Sequence, residues 1–236
     1  MEEACKRGNV ERVKSLMQEA GFEVNRCVNR VFHTPLHIAC MYGAQDVVRE
    51  LLAHPNIGVN CKTLEDETPL HFACQNRLAN VVEELMKSPK LDINATTVAT
   101  TSYQGYKSET ALHFACQECS TPVVEQLMKS PSLDINAKTS ENMTALHFAC
   151  AGRSVSVVEK LLGRDDLVVT IDSDSAFGML YRRPPNATAH KIAAILCLHK
   201  DLDPKEIFPT KEPLVSEIEA AMTELRKGQT KSANAQ

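Results

Sequence analysis

The 236-residue sequence contains no apolar run long enough to cross a membrane, and its first residues are charged where a secretory signal would be apolar. It contains no phosphate-binding glycine loop and no nucleophile-elbow pattern, so no motif in it indicates catalysis. The formal net charge of −4 argues against a nucleic-acid ligand. We therefore expect a non-enzymatic protein of the cytoplasm, or alternatively the nucleus, that uses no cofactor and binds neither nucleic acid nor membrane.

One stretch recurs four times. It reads Thr-Pro-Leu-His-Ile-Ala-Cys from residue 34, and close variants begin at residues 68, 110 and 144, so the copies lie 34, 42 and 34 residues apart. Such a period is typical of stacked supersecondary units. In each copy the threonine suits a helix N-cap, and the leucine, alanine and cysteine follow at spacings that put them on one helical face.

A second helix is predicted in every copy. Pairs of apolar residues recur at i, i+1, i+4 and i+5, as in Val47, Val48, Leu51 and Leu52. A polar turn and a valine–asparagine or isoleucine–asparagine step then lead into the next copy. Two short helices and a turn, repeated along the chain, predict an all-α solenoid.

These residues resemble the ankyrin-repeat family, whose unit begins with a Thr-Pro-Leu-His turn and ends in a valine–asparagine step. The resemblance spans residues 1 to 226 and implies an α-solenoid of stacked helix–turn–helix ankyrin repeats with short β-hairpin fingers. It divides the chain into an N-terminal capping half-repeat (1–26), repeats at 27–60, 61–94, 95–136 (with an extended finger) and 137–170, and a divergent C-terminal capping repeat (171–226). We expect the polar residues 227–236 to form a disordered tail.

Two of these repeats are lengthened at their hairpin tips. The fourth repeat has about eight extra residues within 95–107, and the sixth has about ten within 171–187. Apolar side chains are unusually frequent in both inserts, which favours a role in contacting a partner. The alternative is that Phe177, Leu180 and Tyr181 fold back and cover the irregular last repeat.

The nine cysteines are an odd number, and five of them fall at one repeated position: Cys5, Cys40, Cys74, Cys116 and Cys150. We expect these five to be reduced, buried packing residues. His113, Cys116 and Cys119 have a spacing that also suits zinc or redox chemistry, but no second Cys-x-x-Cys completes a metal site. The histidine of each repeated turn is expected to be a neutral imidazole bonded to backbone, with a proton relay or metal ladder as the alternative.

The family resemblance also implies a binding surface. Ankyrin repeats hold partners with their hairpin tips and the exposed ends of their first helices. Carried over position by position, the predicted partner-binding residues are Arg30, Val31, His33, Met41 and Tyr42 in the second repeat; Leu64, Glu65, Glu67, Gln75 and Asn76 in the third; Tyr106, Lys107, Glu109, Gln117 and Glu118 in the fourth; and Ser140, Glu141, Met143 and Ala151 in the fifth. Tyr103 and Tyr181, which lie in the two inserts, are added to this set. The tyrosines are favoured as interface anchors.

The sequence thus predicts a non-catalytic protein–protein interaction module, a scaffold or adaptor that is monomeric on its own. The acidic residues of the predicted surface favour a basic or amphipathic partner segment. An inhibitor or regulatory subunit that masks an enzyme or a transcription factor is the alternative within the same class. A thiol- or metal-dependent protein that uses His113, Cys116 and Cys119 is the competing hypothesis.

Overall fold

The computed structural model describes residues 1–98, 108–169, 176–181, 184, 186–200, 203–207 and 212–233. These residues are mostly helical and divide into two compact units, Met1–Ala145 and Leu146–Gln236. Over the described ranges, no helix has both the length and the apolar character needed to span a bilayer.

The first unit is built from four helix pairs. They are α1 (Glu2–Lys6) with α2 (Val10–Met17), α3 (Pro35–Met41) with α4 (Gln45–Leu52), α5 (Pro69–Gln75) with α6 (Ala79–Met86), and α7 (Ala111–Gln117) with α8 (Thr121–Leu127). The first helices pack in the order α1, α3, α5, α7, and the second helices form another row in the order α2, α4, α6, α8. The stacked helix pairs predicted from the sequence are confirmed in this unit.

The repeated turn starts each first helix. Thr34 is extended, and its hydroxyl accepts a bond from the His37 backbone N–H, while the His37 ring accepts the Thr34 backbone N–H at 3.0 Å. This reciprocal capping box recurs in α5 and α7. Pro35 takes the first helical position, where its missing N–H costs nothing because no intrahelical acceptor lies within reach.

The core lies between the two rows of helices. Leu36, Ala39 and Cys40 of α3 are fully buried, as are Val47, Val48 and Leu51 of α4. Burying a side chain such as Leu36 stabilises the fold by roughly 1.5–3 kcal/mol. The five cysteines of the repeated position are also 0 % exposed, and none of the nine cysteines forms a disulfide. The small thiol therefore serves as a packing group between neighbouring first helices.

Histidine side chains join neighbouring repeats. His37 Nε2 lies 3.1 Å from the Glu67 carbonyl oxygen, His71 Nε2 lies 3.3 Å from that of Glu109, and His113 Nε2 lies 3.2 Å from that of Met143. In each ring Nδ1 accepts a backbone N–H, so we assign the proton to Nε2, which donates across the junction. The neutral, backbone-bonded imidazole expected from the sequence is confirmed for these three histidines.

Asparagine side chains form a second set of joints, at the valine–asparagine steps. Asn60 Nδ2 donates to the Lys90 carbonyl oxygen at 2.7 Å, and its Oδ1 accepts the Asp92 N–H at 2.9 Å. The same two bonds link Asn94 to residues 132 and 134. Each asparagine amide thus satisfies two backbone groups of the next repeat, which closes the turn after the second helix.

The backbone turns through the left-handed region at two points in each of the second to fifth repeats, at the hairpin tip and at the end of the first helix. Gly43 follows α3 with φ +72°, a conformation that glycine adopts without strain. A Cβ at this position would also lie only 3.1 Å from Leu78 Cδ2, which is a second reason for glycine. Arg77, Cys119 and Arg153 take the equivalent position in later repeats with φ between +52° and +59°. The strain expected when a larger residue replaces glycine is therefore present at three helix ends.

One buried charge links the second helices. Glu84 of α6 is only 5 % exposed, and its carboxylate accepts bonds from Arg49 at 2.9 Å, Lys87 at 2.9 Å and Gln45 at 3.1 Å. Hydrogen bonds from Arg49 and Lys87 hold the pKa of Glu84 at about 2, well below its usual range. Sequence patterning gives no sign of this residue, since its neighbours in α6 read as an ordinary charged face.

The helices described in the second unit are α9 (Ala145–Ala151), α10 (Val155–Leu162), α11 (Ala176–Leu180), α12 (Ala187–Lys200), α13 (Pro204–Ile207) and α14 (Glu212–Ala233). Two of them, α12 and α14, are longer than any helix of the first unit, and the other four are short. α12 packs against both α10 and α14, and α11 packs on α12. Phe177 and Leu180 of α11 are 1 % and 0 % exposed, so this part of the second insert folds back into the unit instead of projecting towards a partner.

The end of the chain differs from the sequence expectation. α14 continues to Ala233, so the disordered tail expected at 227–236 does not begin at residue 227. Val215, Ile218 and Met222 anchor this helix because they are buried on one face. Elongation past the anchored turns is inexpensive, and Lys, Gln and Ala are good helix formers, so polar composition alone does not end the helix.

Candidate protein-binding surface

The hairpin tips and first-helix ends of the first unit expose most of the predicted partner-binding residues. Those that are exposed or half-buried are Arg30, Val31, His33, Met41, Tyr42, Leu64, Glu65, Glu67, Gln75, Asn76, Gln117, Glu118, Ser140 and Glu141. Together with Phe32 and Val98, these residues are named the tip surface. Tyr103, Tyr106 and Lys107 of the extended finger lie outside the described residues.

The tips of neighbouring repeats lie against one another, which makes the surface continuous. The Val98 N–H of the fourth repeat donates to the Glu65 carbonyl oxygen of the third at 3.0 Å, while a short antiparallel bridge between Thr96 and Thr110 lies within the fourth repeat itself. The rings of His33 and Phe72 meet edge to face with centroids 5.1 Å apart. Contacts of this kind hold the tips in register across the second, third and fourth repeats.

Two predicted residues are not exposed. Glu109 and Met143 are each only 5 % exposed, so the expectation of an open contact position is wrong for both side chains. Both residues stand immediately before a capping threonine, and their backbone carbonyls lie against the histidine of the preceding repeat. The apolar Met143 side chain packs in this buried position, whereas Glu109 places a carboxyl group in an equally buried one.

Tyr181 belongs to the second unit. It is half-buried, and its ring stacks on His190 with centroids 6.2 Å apart and an interplanar angle of 25°. Burial raises the pKa of its phenol above the ordinary value. These contacts are those of an interior tyrosine, in contrast to Tyr42, which is 53 % exposed beneath the Lys6 ammonium group, 5.7 Å from the ring centroid.

Phe32 is a tip residue that the sequence reasoning missed. It is 50 % exposed and has φ +63°, a conformation in which a bulky side chain is strained. The equivalent tip residues Asp66, Ser108 and Asn142 also have positive φ, and asparagine and aspartate tolerate that region better than most residues do. The signal was present in the sequence, because aligning the four tips shows a single aromatic among three small polar residues.

Phe32 belongs to a row of exposed apolar side chains. Val31 is 47 % exposed in the same tip, Leu64 is 58 % exposed in the next and Val98 is 44 % exposed in the one after. Single exposed apolar residues are ordinary, but a row that follows successive repeats indicates an interaction surface. A strained, exposed aromatic at one end of that row strengthens this interpretation, because strain is retained where it serves function.

The acidic residues of the tip surface differ in how far their charge is compensated. Glu118 forms an ion pair with Arg77 of the preceding repeat at 2.9 Å, so its charge is partly neutralised within the chain. Burial and the neighbouring Glu65 carboxylate raise the pKa of Glu67 to about 7. Burial and the Glu67 carboxylate likewise raise the pKa of Glu109 to about 7. Two carboxyl groups in neighbouring repeats thus titrate near neutral pH.

The residues proposed for metal or thiol chemistry have other roles. His113 caps α7 and bonds the next repeat, and Cys116 is fully buried in the core. Cys119 ends α7 in the left-handed conformation. Across the described residues, no group of three or more His, Cys, Asp or Glu side chains is arranged to hold a metal ion.

The stacked helix pairs, with histidine and asparagine joints between them, define a helical repeat protein. The family model for ankyrin repeats matches the chain in three copies over residues 1–97 and 98–171, and the chain belongs to that family. Comparison with curated protein sequences gives no match. Proteins of the ankyrin-repeat family generally serve as protein–protein interaction modules.

Proposed function

We propose that this chain is a non-catalytic interaction module that binds a basic or amphipathic segment of another protein on the tip surface. The observation that carries the proposal is the row of exposed apolar side chains, Phe32, Leu64 and Val98, which runs beside the acidic residues Glu65 and Glu67. Apolar contacts supply affinity, and negative charge beside them selects a positively charged segment and speeds its association.

The module acts as a monomeric scaffold or adaptor in a reducing compartment, the cytoplasm or the nucleus. Exposed Cys27 and half-buried Cys61 support that location, since accessible thiols remain reduced where glutathione and thioredoxin are present. The predicted binding residues of the extended finger, Tyr103, Tyr106 and Lys107, are proposed to extend the same contact.

Paired substitutions test the proposal. Leu64 and Val168 are almost equally exposed, at 58 % and 59 %, but only Leu64 belongs to the tip surface. Wild type, Leu64→Ser and Val168→Ser are each immobilised and exposed to the same cell extract, and retained proteins are quantified by mass spectrometry. A protein retained by wild type and Val168→Ser but lost from Leu64→Ser supports the proposal. Equal retention by all three chains contradicts it.

A second pair of variants tests the contribution of negative charge to partner binding. Glu65→Gln with Glu141→Gln removes two carboxylates from the tip surface, whereas Glu83→Gln removes an exposed one from α6. With the captured partner, the tip double variant is expected to associate more slowly and to show a flatter dependence of the association rate on salt. The Glu83 variant should retain wild-type kinetics; identical behaviour of the two variants would show that the tip charges play no part.

A further inference from the structure

Tyr42 and Lys6 meet at the junction of the first and second repeats. The Tyr42 ring is 53 % exposed, and the ammonium group of Lys6, from α1, lies over it at 5.7 Å from the ring centroid. The same ammonium group forms an ion pair with the Glu2 carboxylate at 2.7 Å. One face of an exposed aromatic ring and one carboxylate therefore bind the same cation, and both kinds of group attract positive charge.

A related arrangement lies two repeats further on. Tyr42 and Glu118 take the same position, directly after α3 and α7, and both belong to the tip surface. The Arg77 guanidinium group of the third repeat donates to Glu118 Oε2 from Nη2 at 2.9 Å and from Nε at 3.2 Å. At two junctions, a cation of one repeat thus rests on the residue that follows the first helix of the next. Both of these tip-surface acceptors of positive charge are occupied by cations of the chain itself.

Neither cation is enclosed in the way that a buried charge is. The Lys6 and Glu2 side chains are 33 % and 34 % exposed, and the Arg77 side chain is 61 % exposed. Ion pairs and cation–π contacts between exposed groups contribute little to stability. Glu84 shows the contrast, because three donors surround its buried carboxylate. Lys6 can therefore leave the Tyr42 ring at small cost to the fold.

We infer that Tyr42 and Glu2 form a subsite for one lysine or arginine side chain of the partner segment, and that Lys6 fills this subsite while the chain is unbound. The inference rests on the proposed function, since Tyr42 belongs to the tip surface on which the segment docks. On binding, Lys6 turns into the solvent, and the partner's cation takes over the ring face and the carboxylate. A guanidinium group suits the subsite as well as an ammonium group does, because it can stack on the ring.

The exchange of one cation for another has a consequence that a structural role of Lys6 does not share. The partner's cation reaches the ring only after Lys6 has left it, so the contacts of Lys6 oppose binding. Removing the Lys6 charge should therefore strengthen the complex. Arg7 provides a matched control, because it pairs with Glu3 at 2.6 Å on the same helix and with the same i, i+4 spacing as Lys6 and Glu2.

A displayed peptide library supplies the ligand without knowledge of the natural partner. Peptides are selected on the full chain, and those that lose binding to Leu64→Ser but not to Val168→Ser are retained. The retained peptides should contain a Lys or Arg, and replacing it with Gln should abolish any difference in affinity between wild type and Lys6→Gln. Calorimetry gives the affinity of one such peptide for each variant.

The affinity gained by Lys6→Gln is then compared in several backgrounds. Lys6→Gln should raise the affinity about fivefold, whereas Arg7→Gln, which removes the same charge from α1, should change it by less than about twofold. In the Tyr42→Leu background most of the gain should disappear, and in the Tyr42→Phe background, which keeps the ring, it should return. Thermal unfolding checks that each variant is folded.

NMR of the lysine side chains observes the exchange directly. The ring current of Tyr42 should shift the Lys6 ε-methylene protons upfield, and their signal is identified by its loss in Lys6→Gln. Saturation with the peptide should return this signal to the position of an ordinary exposed lysine. The methylene protons of the peptide's Lys or Arg should move upfield instead.

The outcomes separate the two proposals. The subsite is overturned, and the tip surface remains the binding site, if Lys6→Gln gives no gain, if Arg7→Gln gives an equal gain, or if the retained peptides contain neither Lys nor Arg. A Lys6 signal that stays shifted in the saturated complex overturns the subsite as well, since Lys6 would then still cover the ring. A library that yields no peptide dependent on Leu64 overturns the proposed function and the subsite with it.

Discussion

The buried histidines His37 and His71 and the carboxyl groups of Glu67 and Glu109 have opposite effects on stability in acid. Removing the two carboxyl groups should therefore expose the effect of the histidines. The pKa values of His37 and His71 are about 4 in the folded state against 6.5 ordinarily, so the unfolded state binds more protons and stability falls as the pH drops from 6.5 to 4. The pKa values of Glu67 and Glu109 are about 7 against 4.5, so the folded state binds more protons and stability rises as the pH drops from 7 to 4.5.

The contributions of these two histidines and two glutamates to stability nearly cancel. At pH 5 each histidine costs about 2 kcal/mol of unfolding free energy, or about 4 kcal/mol for the two. The two glutamates return a similar amount over the same interval, reduced at Glu67 because that carboxyl is partly solvated. These four groups should therefore contribute little net change in stability between pH 7 and pH 5, whereas Glu67→Gln with Glu109→Gln should lose about 4 kcal/mol more than wild type over that interval, because glutamine cannot take up the proton.

Urea unfolding followed by far-UV circular dichroism at pH 5, 6 and 7 and constant ionic strength measures these differences. The denaturant slope must stay constant across the series for the free energies to be compared. Glu83→Gln, which alters an exposed glutamate of α6, should keep the wild-type profile. A double variant with the same pH dependence of stability as wild type would refute the reasoning, since Glu67 and Glu109 would then not offset the protonation of the buried histidines.

Two further substitutions probe the tip strain and the packing. Phe32→Asn should raise the free energy of unfolding by about 1 kcal/mol, because asparagine tolerates the left-handed backbone, and should weaken capture of the partner; unchanged capture would remove Phe32 from the contact. Cys116→Ala should alter the melting temperature little, whereas Cys116→Leu should overpack α7 against its neighbours and cost about 1–3 kcal/mol; loss of binding by a stable Cys116→Ala would instead indicate a functional thiol.

The repeated turn was predictable because every physical requirement it meets is local. Thr34 caps the helix that follows it, and Leu36 and Cys40 fall on the buried face by helical periodicity alone. The role of His37 was also predictable, since one histidine per repeat matches one junction per repeat. These features repeat with the chain, and the repetition itself carries the signal.

The structure departs from the sequence prediction where a residue's surroundings are supplied by another part of the chain. Glu109 reads as a surface glutamate, yet its side chain is only 5 % exposed, whereas Glu67, at the same place in the preceding repeat, is half-buried. Glu84 likewise reads as part of a polar face until Arg49 and Lys87 enclose it. The course of α11 depends on apolar contacts with α12, which no local pattern specifies.

The joints between repeats have a consequence for how such a surface can change. At the junction of the third and fourth repeats, His71 and Asn94 make bonds of the same kind as those made by His37 and Asn60 one repeat earlier. None of these bonds uses an exposed tip side chain, so Leu64 or Phe32 can mutate without disturbing a junction. A copy of residues 61–94 inserted after itself would therefore present matching joints at both ends and lengthen the surface by one repeat. Duplication of a repeat can lengthen the partner segment that the surface binds. Point mutations in the new tip can then change which partner residues that tip binds.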